Sequence, residues 1–314
     1  MTLYLVIPCY NEQEVLQETA KRAEEKLRAL MDGGKISDKS RICLVDDGSK
    51  DNTWSIIDGL CEENEIFSGI KLSRNKGHQN ALLAGLMSVK DKCDAAISLD
   101  ADLQDDINAI DAMLEKYGEG CDVVYGVRSS RKSDKRFKRT SARSFYRVMR
   151  WMGVELVYDH ADYRLMSRRA LCALSEFSEV NLFLRGLVPL VGYKSDIVEY
   201  ERKPRFAGKT KYPLRKMLSF AFEGITSMSI RPIRIISVLG LLIFLSSIGM
   251  LSYFLVRHFT GNTVEGWTSI AVSVWAIGGL QLLSLGVIGE YIGKIYLETK
   301  HRPKYIIEQY KNID

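Results

Sequence analysis

The first 125 residues alternate between short apolar runs and longer segments with helical spacing. Apolar runs rich in Val, Ile and Leu predict buried strands, and they occur at Leu3–Ile7, Arg41–Val45, Ile70–Leu72, Ala95–Leu99 and Asp122–Tyr125. Between them, apolar residues recur with the period of a helix over Val15–Leu30, Thr53–Leu60, Asn80–Val89 and Ile107–Lys116. Strands that alternate with helices are typical of a doubly wound, mostly parallel α/β sheet.

The last quarter of the chain has a different pattern. Ile235–Val256 is 22 residues without a charge, and Trp267–Gly289 is 23 residues without a charge. Each stretch is long enough to cross the hydrocarbon core of a bilayer. Because only the short linker Arg257–Gly266 separates them, they predict a two-helix transmembrane hairpin.

The segment that precedes the hairpin combines apolar and basic residues. Arg215 and Lys216 stand beside an apolar set made of Met217, Leu218, Phe220, Ala221, Phe222, Ile225 and Met228. This pattern predicts an amphipathic helix at the membrane interface, and an ordinary surface helix is the alternative. The predicted division is therefore a catalytic domain over 1–212, an interfacial helix over 213–232, the hairpin over 233–293 and a tail over 294–314.

Charges beside the two apolar stretches predict how the chain is oriented. Arg231 and Arg234 precede the first stretch, and the second is followed by Lys294, Lys300, Arg302 and Lys304. The linker between the stretches carries Arg257 and His258 against Glu265. By the positive-inside rule, both termini and the catalytic domain face the cytoplasm. We expect a multi-pass protein of the plasma or inner membrane.

Basic residues are concentrated in two blocks, although the net charge is only +5. Residues 128–150 contain ten Lys or Arg and one acid, and residues 202–216 contain seven Lys or Arg and no acid. Such blocks favour phosphate groups or anionic lipid, and a solvated basic loop is the alternative. No known nucleic-acid-binding module accompanies them, so we expect no nucleic-acid partner.

Polar clusters follow three of the predicted strands, at Tyr10–Glu12, Asp46–Ser49 and Asp100–Gln104. In doubly wound sheets ligands bind beyond the carboxyl ends of the strands. The spacing of Asp100, Asp102 and Gln104 lets two carboxylates and an amide oxygen converge on one Mg²⁺ or Mn²⁺ ion. A turn or a helix cap is the alternative interpretation of this motif.

The Asp46–Ser49 cluster and the later segment 74–79 favour a nucleotide. Asp46 and Asp47 could accept hydrogen bonds from a nucleobase or a ribose, although a capped strand-to-helix turn would also explain this segment. Residues 74–79 place Lys76 and a glycine just before a helix, where a phosphate or base could bind, and a capped loop is the alternative. No Gly-x-Gly-x-x-Gly follows the first strand, which argues against a dinucleotide dehydrogenase.

Together these motifs resemble the family 2 glycosyltransferases of GT-A fold. The resemblance rests on Pro8–Glu12, Val45–Ser49 and Asp100–Gln104. Two further segments, Asp159–Arg168 and Arg202–Pro213, together with the hairpin, resemble the bacterial polyprenyl-phosphate glycosyltransferases, relatives of dolichyl-phosphate mannose synthase. The family often has a glycine where this chain has Ala161.

The resemblance implies a role for each matching residue. The nucleotide sugar would be held by Pro8, Tyr10, Glu12, Asp46, Asp47, Lys76, Asp100 and Ala101. The metal would be held by Asp100, Asp102 and Gln104. The lipid phosphate would meet Arg128, Arg139, Arg143, Lys209 and Lys211. The catalytic set would be Asp162, Arg128, Arg202 and Arg205. The resemblance also implies a homotetramer.

The implied reaction is inverting transfer of a hexose, with glucose from UDP-glucose as the first expectation, onto undecaprenyl or another polyprenyl phosphate. A phosphomonoester has a second pKa of about 6 and is largely ionised at neutral pH. We therefore hypothesise that Asp162 orients the acceptor or its cationic neighbours, such as Arg164, instead of removing a proton.

Two other functions remain open from the sequence. A processive polysaccharide synthase would need more apolar stretches and a Gln-x-x-Arg-Trp motif, whose glutamine is missing before Arg150-Trp151. A membrane-anchored sugar-nucleotide sensor would not need the acidic set at Asp100, Asp102 and Asp162. Release of nucleoside diphosphate from donor, lipid phosphate and metal separates an enzyme from a sensor.

Overall fold

The computed structural model describes residues 1–128, 151–152, 160–201, 225–227, 229–260 and 267–313. Several predicted features lie outside these residues. They are residues 213–224 of the expected interfacial helix, the linker residues 261–266, and the basic side chains of Arg139, Arg143, Arg202, Arg205, Lys209 and Lys211.

The described residues form an eight-stranded sheet with the spatial order β7-β5-β6-β4-β1-β2-β3-β8. Its strands are β1 Leu3–Cys9, β2 Arg41–Asp46, β3 Phe67–Leu72, β4 Ala95–Ser98, β5 Val123–Arg128, β6 His160–Ser167, β7 Ser195–Tyr200 and β8 Ile307–Lys311. The pairs β4–β1, β1–β2, β2–β3 and β5–β7 are parallel. The mostly parallel α/β sheet expected from the alternating pattern is confirmed.

Helices cover both faces of the sheet. They are α1 Leu16–Asp32, α2 Thr53–Glu63, α3 His78–Val89, α4 Ala109–Gly118, α5 Arg168–Ser175 and α6 Leu184–Leu190. Two longer helices, α7 Arg231–Phe259 and α8 Trp267–Thr299, follow them in the chain. One core cluster joins α1, α2 and α4 to the sheet, and a second joins α3, α5 and α6 to the opposite face. Every residue of β1 is buried, as expected for a parallel strand covered on both sides.

Strand β6 is inserted antiparallel between β4 and β5. Ser98 at the end of β4 pairs with Arg164 of β6, and Tyr125 of β5 pairs with the same residue from the other side. Because β6 runs against its neighbours, its first residues lie where β4 and β5 end. Asp162 therefore reaches the same edge of the sheet as Asp100.

The C-terminal segment, expected as a tail, forms the edge strand beside β3. Strand β8 pairs antiparallel with β3. Lys71 of β3 forms a salt bridge with Glu308 at 2.9 Å, and Lys311 forms one with Asp58 at 2.6 Å. The sheet is thus built from residues near both ends of the chain, and β8 lies beyond the domain boundary expected at residue 212.

Helices α7 and α8 contain the two uncharged stretches and contact each other. Within the described part of the chain, one helix segment, Arg231–Met250, meets the length and apolarity needed to cross a membrane, with a mean hydropathy of 2.2. None of that segment is buried inside the protein. One candidate span is therefore evident, whereas the two-helix membrane hairpin remains a prediction.

Candidate active site

The loops after β1 and β2 are tied together by hydrogen bonds. The Asn11 N–H donates to Ser49 Oγ at 3.0 Å, and Asn11 Oδ1 accepts the Lys50 N–H at 2.9 Å. The Glu12 N–H donates to Thr53 Oγ1 at 2.9 Å. These bonds bring the first two polar clusters of the sequence into one surface.

Asp46 and Asp47 are both buried and both shape the loops. Asp47 accepts the N–H groups of Lys76 at 2.7 Å and Gly77 at 2.9 Å through its two oxygens. Asp46 accepts the Ser49 N–H at 3.2 Å. Burial raises the pKa of each carboxyl, and the accepted hydrogen bonds oppose that rise. Asp47 therefore fixes the loop before α3, a task that the sequence motif alone did not reveal.

Gly48 lets the second and third loops approach closely. Its φ is +64°, and an added Cβ would lie 2.5 Å from the carbonyl carbon of Arg74 and 2.6 Å from the Asn75 nitrogen. An L side chain is disfavoured by the φ angle and blocked by this backbone. The glycine and Asp47 together hold the Lys76 loop beside the ends of β1 and β2. The other donor-site candidates, Pro8 and Tyr10, lie at the same edge, Pro8 buried within β1 and Tyr10 exposed after it.

The expected metal ligands follow β4 in a tight loop. The Gln104 N–H donates to Asp102 Oδ1 at 3.2 Å, and Leu103 between them has a φ of +57°. The Ala101 carbonyl accepts the Thr19 hydroxyl at 2.7 Å, which anchors the loop to α1. Among the described residues, no group of three or more His, Cys, Asp or Glu side chains could hold a metal by itself. Asp100, Asp102 and Gln104 offer oxygen donors, the kind of ligand that Mg²⁺ and Mn²⁺ prefer.

Asp162 lies in a cluster of cationic side chains. Arg185 Nη2 is 3.0 Å from Asp162 Oδ2, and Arg185 Nε donates to Oδ1 at 3.2 Å. Arg164 Nη2 donates to Oδ1 at 2.8 Å. The side chain of Asp162 is 12% exposed and that of Arg164 is 1% exposed. The carboxylate is therefore shared by two guanidiniums, one of which is almost fully buried.

The charges in this cluster determine the protonation of Asp162. Burial alone would raise its pKa, but the Arg185 and Arg164 guanidiniums outweigh burial and hold the pKa well below its usual range. Asp162 is thus a carboxylate throughout the neutral range. A carboxylate with so low a pKa is a poor proton acceptor.

His78 connects the Asp162 cluster to the expected metal site. Its Nε2 lies 3.5 Å from Asp100 Oδ1 and 3.7 Å from Asp162 Oδ2. Burial raises the pKa of Asp100, and the nearby His78 acts to lower it. The sequence analysis gave His78 no separate role, and the structure places it between the two carboxylates.

Arg128 lies at the end of β5 beside Asp105, a residue that the sequence analysis did not select. Arg128 Nη2 is 3.8 Å from Asp105 Oδ1, Arg128 Nε donates to the Tyr200 hydroxyl at 3.4 Å, and that hydroxyl donates to Asp105. Asp105 Oδ2 is buried and has no hydrogen-bond partner among the described residues. Burial raises the pKa of Asp105 to about 6, and the Asp100 charge adds to the rise.

The described part of the predicted site is therefore assembled at one edge of the sheet. His78 lies within 3.7 Å of both Asp100 and Asp162, and Arg128, Asp105 and Tyr200 form a second group. Sequence reasoning missed Arg185, Asp105 and Tyr200. Asp105 directly follows the acidic motif and could have been noticed there, whereas Arg185 meets Asp162 across 23 residues and stands in no motif.

Comparison with known proteins points to one family. The model of the family described as glycosyl transferase family 2 matches residues 4–174. The glycosyltransferase YkoT of Bacillus subtilis (strain 168) is 53% identical over 98% of this chain and 91% of its own length. The bactoprenol glucosyl transferase of Shigella phage SfV is 38% identical over 99% of both chains.

Among solved structures, mannosyl-3-phosphoglycerate synthase from Rubrobacter xylanophilus superposes with a TM-score of 0.46, at 15% identity over 72% of this chain and 73% of that chain. The family model covers more than half of the chain, and the similarity to YkoT and to the phage enzyme extends over almost all of it. The chain belongs to glycosyl transferase family 2 and is a glycosyltransferase.

Proposed function

We propose that this glycosyltransferase moves a hexose, glucose from UDP-glucose in the first instance, onto the phosphate of a polyprenyl phosphate. The observation that carries the proposal is the placement of Asp162 and its two arginines beside Asp100, at the edge where β4 and β6 meet. Relatives named bactoprenol glucosyl transferase match this chain over nearly its whole length, which supports a lipid carrier as acceptor.

The donor would bind across the interlocked loops after β1, β2 and β3. Tyr10 offers an exposed ring at this surface, and Lys76 offers a cation beside the N-terminus of α3. A Mg²⁺ or Mn²⁺ ion held by Asp100, Asp102 and Gln104 would offset the charge that develops on the leaving diphosphate. The residues present fit such an ion by their oxygen donors.

The acceptor would arrive as an anion that needs no base. With its second pKa of about 6, a phosphomonoester is largely a dianion at neutral pH. The low pKa of Asp162 supports the hypothesis that this carboxylate orients its neighbours. In this arrangement Asp162 holds Arg185, which is one-third exposed, toward the space that a phosphate would enter. An in-line attack by the phosphate oxygen would invert the anomeric carbon.

The membrane part of the proposal joins α7 and α8 as two spans. The uncharged stretch of α8 would cross the bilayer back to the side where α7 begins, so that β8 can return to the catalytic sheet. The flanking basic residues favour the cytoplasm for that side. The basic residues of segments 128–150 and 202–216 would add to the phosphate-binding surface, and a homotetramer remains an expectation from the resemblance.

The test is a transfer assay with the full chain in lipid nanodiscs. Undecaprenyl phosphate, Mg²⁺ or Mn²⁺ and a panel of radiolabelled UDP- and GDP-sugars are supplied, and label is measured in the lipid extract. Label from UDP-glucose in a single-sugar lipid supports the proposal, and NMR of the product reports whether the anomeric centre is inverted. Label in a long polymer would indicate a processive synthase, and no nucleoside diphosphate release would indicate a sensor.

A further inference from the structure

The end of helix α8 is fixed to the catalytic domain by one carboxylate. Glu298 accepts the Val180 N–H at 2.8 Å through Oε2 and the Asn181 N–H at 2.9 Å through Oε1. Nearby, Lys304 Nζ donates to the Phe177 carbonyl at 2.9 Å. A charged side chain that accepts two consecutive backbone N–H groups holds that backbone more firmly than a neutral acceptor would.

The clamped segment leads directly into the active site. The Leu184 N–H donates to Gln79 Oε1 at 2.8 Å, and the Leu184 carbonyl accepts from Arg164 Nη1 at 3.5 Å. The next residue is Arg185, whose guanidinium binds Asp162. Asn181, which Glu298 holds, is therefore only four positions before the arginine that binds Asp162.

The same end of α8 also holds the chain just before α7. Lys294 Nζ donates to Thr226 Oγ1 at 2.5 Å and to Ser227 Oγ at 2.8 Å. The Tyr291 hydroxyl donates to the Ser229 carbonyl at 2.6 Å. Contacts to the segment before α7 and to the segment before Arg185 thus meet on the last turns of α8.

The length of α8 between Gly289 and Glu298 determines how far these contacts would lie from the hydrocarbon core of the bilayer. Glu298 lies nine residues beyond Gly289, where the uncharged stretch ends, and nine residues of helix rise about 14 Å. The headgroup layer on one side of a bilayer is roughly 5–7 Å thick. Glu298 would therefore lie about 7–9 Å beyond the headgroup layer, so that the segment it holds faces the membrane surface from which a lipid phosphate projects.

We infer that Glu298 is a positioning residue for the acceptor. It holds the Arg185–Asp162 pair at a fixed height above the membrane, so that a lipid phosphate meets the pair while its hydrocarbon chain stays in the bilayer. This inference rests on the proposed transfer to polyprenyl phosphate. It assigns to the α8 carboxylate a function in acceptor use that is separate from donor binding.

The test compares Glu298→Ala and Glu298→Gln with the wild type, and Glu308→Ala serves as the control. Glu308 is another C-terminal acid, in an exposed salt bridge with Lys71, where such pairs contribute little. Each protein is assayed in nanodiscs with undecaprenyl phosphate and, separately, with a short water-soluble prenyl phosphate. Binding of the nucleotide sugar is measured in parallel by calorimetry.

For Glu298→Ala we expect kcat/KM for the membrane-embedded acceptor to fall about ten-fold, the equivalent of one charge-assisted hydrogen bond. The loss should appear mainly in KM and be much smaller with the soluble acceptor, which is not held at a fixed height. Donor affinity and the control variant should match the wild type. Glu298→Gln, which keeps one acceptor oxygen, should lose less.

Hydrogen exchange separates these outcomes from misfolding. In Glu298→Ala, peptides that cover residues 178–185 should lose protection, while peptides of β1 and β2 keep theirs. Two outcomes would overturn this inference alone, provided that the wild type transfers sugar. One is an equal loss of activity of Glu298→Ala with both acceptors, and the other is Glu298→Ala kinetics that match the wild type. If the wild type transfers sugar to neither phosphate, the proposed function fails and this inference fails with it.

Discussion

Replacing Asp162 by asparagine removes the carboxylate that faces the buried Arg164 guanidinium. The two side chains are 2.8 Å apart, and the Arg164 side chain is 1% exposed. Two unit charges about 4 Å apart interact by about 4 kcal/mol at an effective dielectric constant of 20. Removing one partner of a buried pair costs about 3–5 kcal/mol, since the other charge stays buried without compensation.

We therefore expect Asp162→Asn to lower the free energy of unfolding by about 3–5 kcal/mol. Its loss of transfer activity would then combine a catalytic and a structural effect. A second substitution, Arg164→Met, separates the two because it removes the charge that asparagine leaves unpaired. The free energy of unfolding of the Asp162→Asn/Arg164→Met double variant should be at least about 2 kcal/mol higher than the sum of the two single effects predicts. The double variant should nevertheless remain inactive.

The assay is denaturant unfolding in detergent, followed by near-ultraviolet circular dichroism, with sugar transfer measured on the same samples. Arg185→Met is the matched comparison, because Arg185 also binds Asp162 but is one-third exposed and should affect stability less. Additive effects of the Asp162 and Arg164 substitutions, or an Asp162→Asn variant as stable as the wild type, would refute the electrostatic reasoning.

Three further predictions concern other parts of the site. Gly48→Ala should lower the melting temperature by several degrees and weaken nucleotide-sugar binding, because the added Cβ collides with the Arg74 backbone; differential scanning fluorimetry with and without UDP checks this. The raised pKa of Asp105 means that the folded protein keeps this proton up to about pH 6 while the unfolded chain loses it near 3.8. Stability should therefore fall by up to about 3 kcal/mol as pH rises between these values, and Asp105→Asn should lack that part of the pH dependence. Chelation with EDTA should abolish transfer, and Mg²⁺ or Mn²⁺ should restore it in the wild type but not in Asp102→Asn.

Strands β1 to β5 were accessible from the sequence because each is a largely buried apolar run, whereas β7 is mostly exposed and was not predicted. Leu3–Cys9 and Arg41–Asp46 differ from the predicted strands by one or two residues. The polar clusters at the strand ends were predictable for the same reason, since a parallel sheet gathers those ends at one edge.

The antiparallel strands β6 and β8 could not be predicted from apolar runs. Strand β6 was noticed only as a motif, and its insertion between β4 and β5 depends on pairing with residues far away in the chain. Strand β8 has the sequence Ile-Glu-Gln-Tyr-Lys, which lacks an apolar run. The contacts of Asp162 with Arg185 and His78 follow from these pairings, so the electrostatics of the site required the structure.

The pairing of β8 with β3 has a consequence for biosynthesis. Lys71 and its partner Glu308 are 237 positions apart, and both apolar helices are synthesised between them. While the chain emerges from the ribosome, β3 presents an open edge until the last residues arrive, and such an edge invites pairing with other chains. The sheet can therefore be completed only after α7 and α8 have been synthesised. A fragment that ends before α7 would keep the edge of β3 exposed permanently.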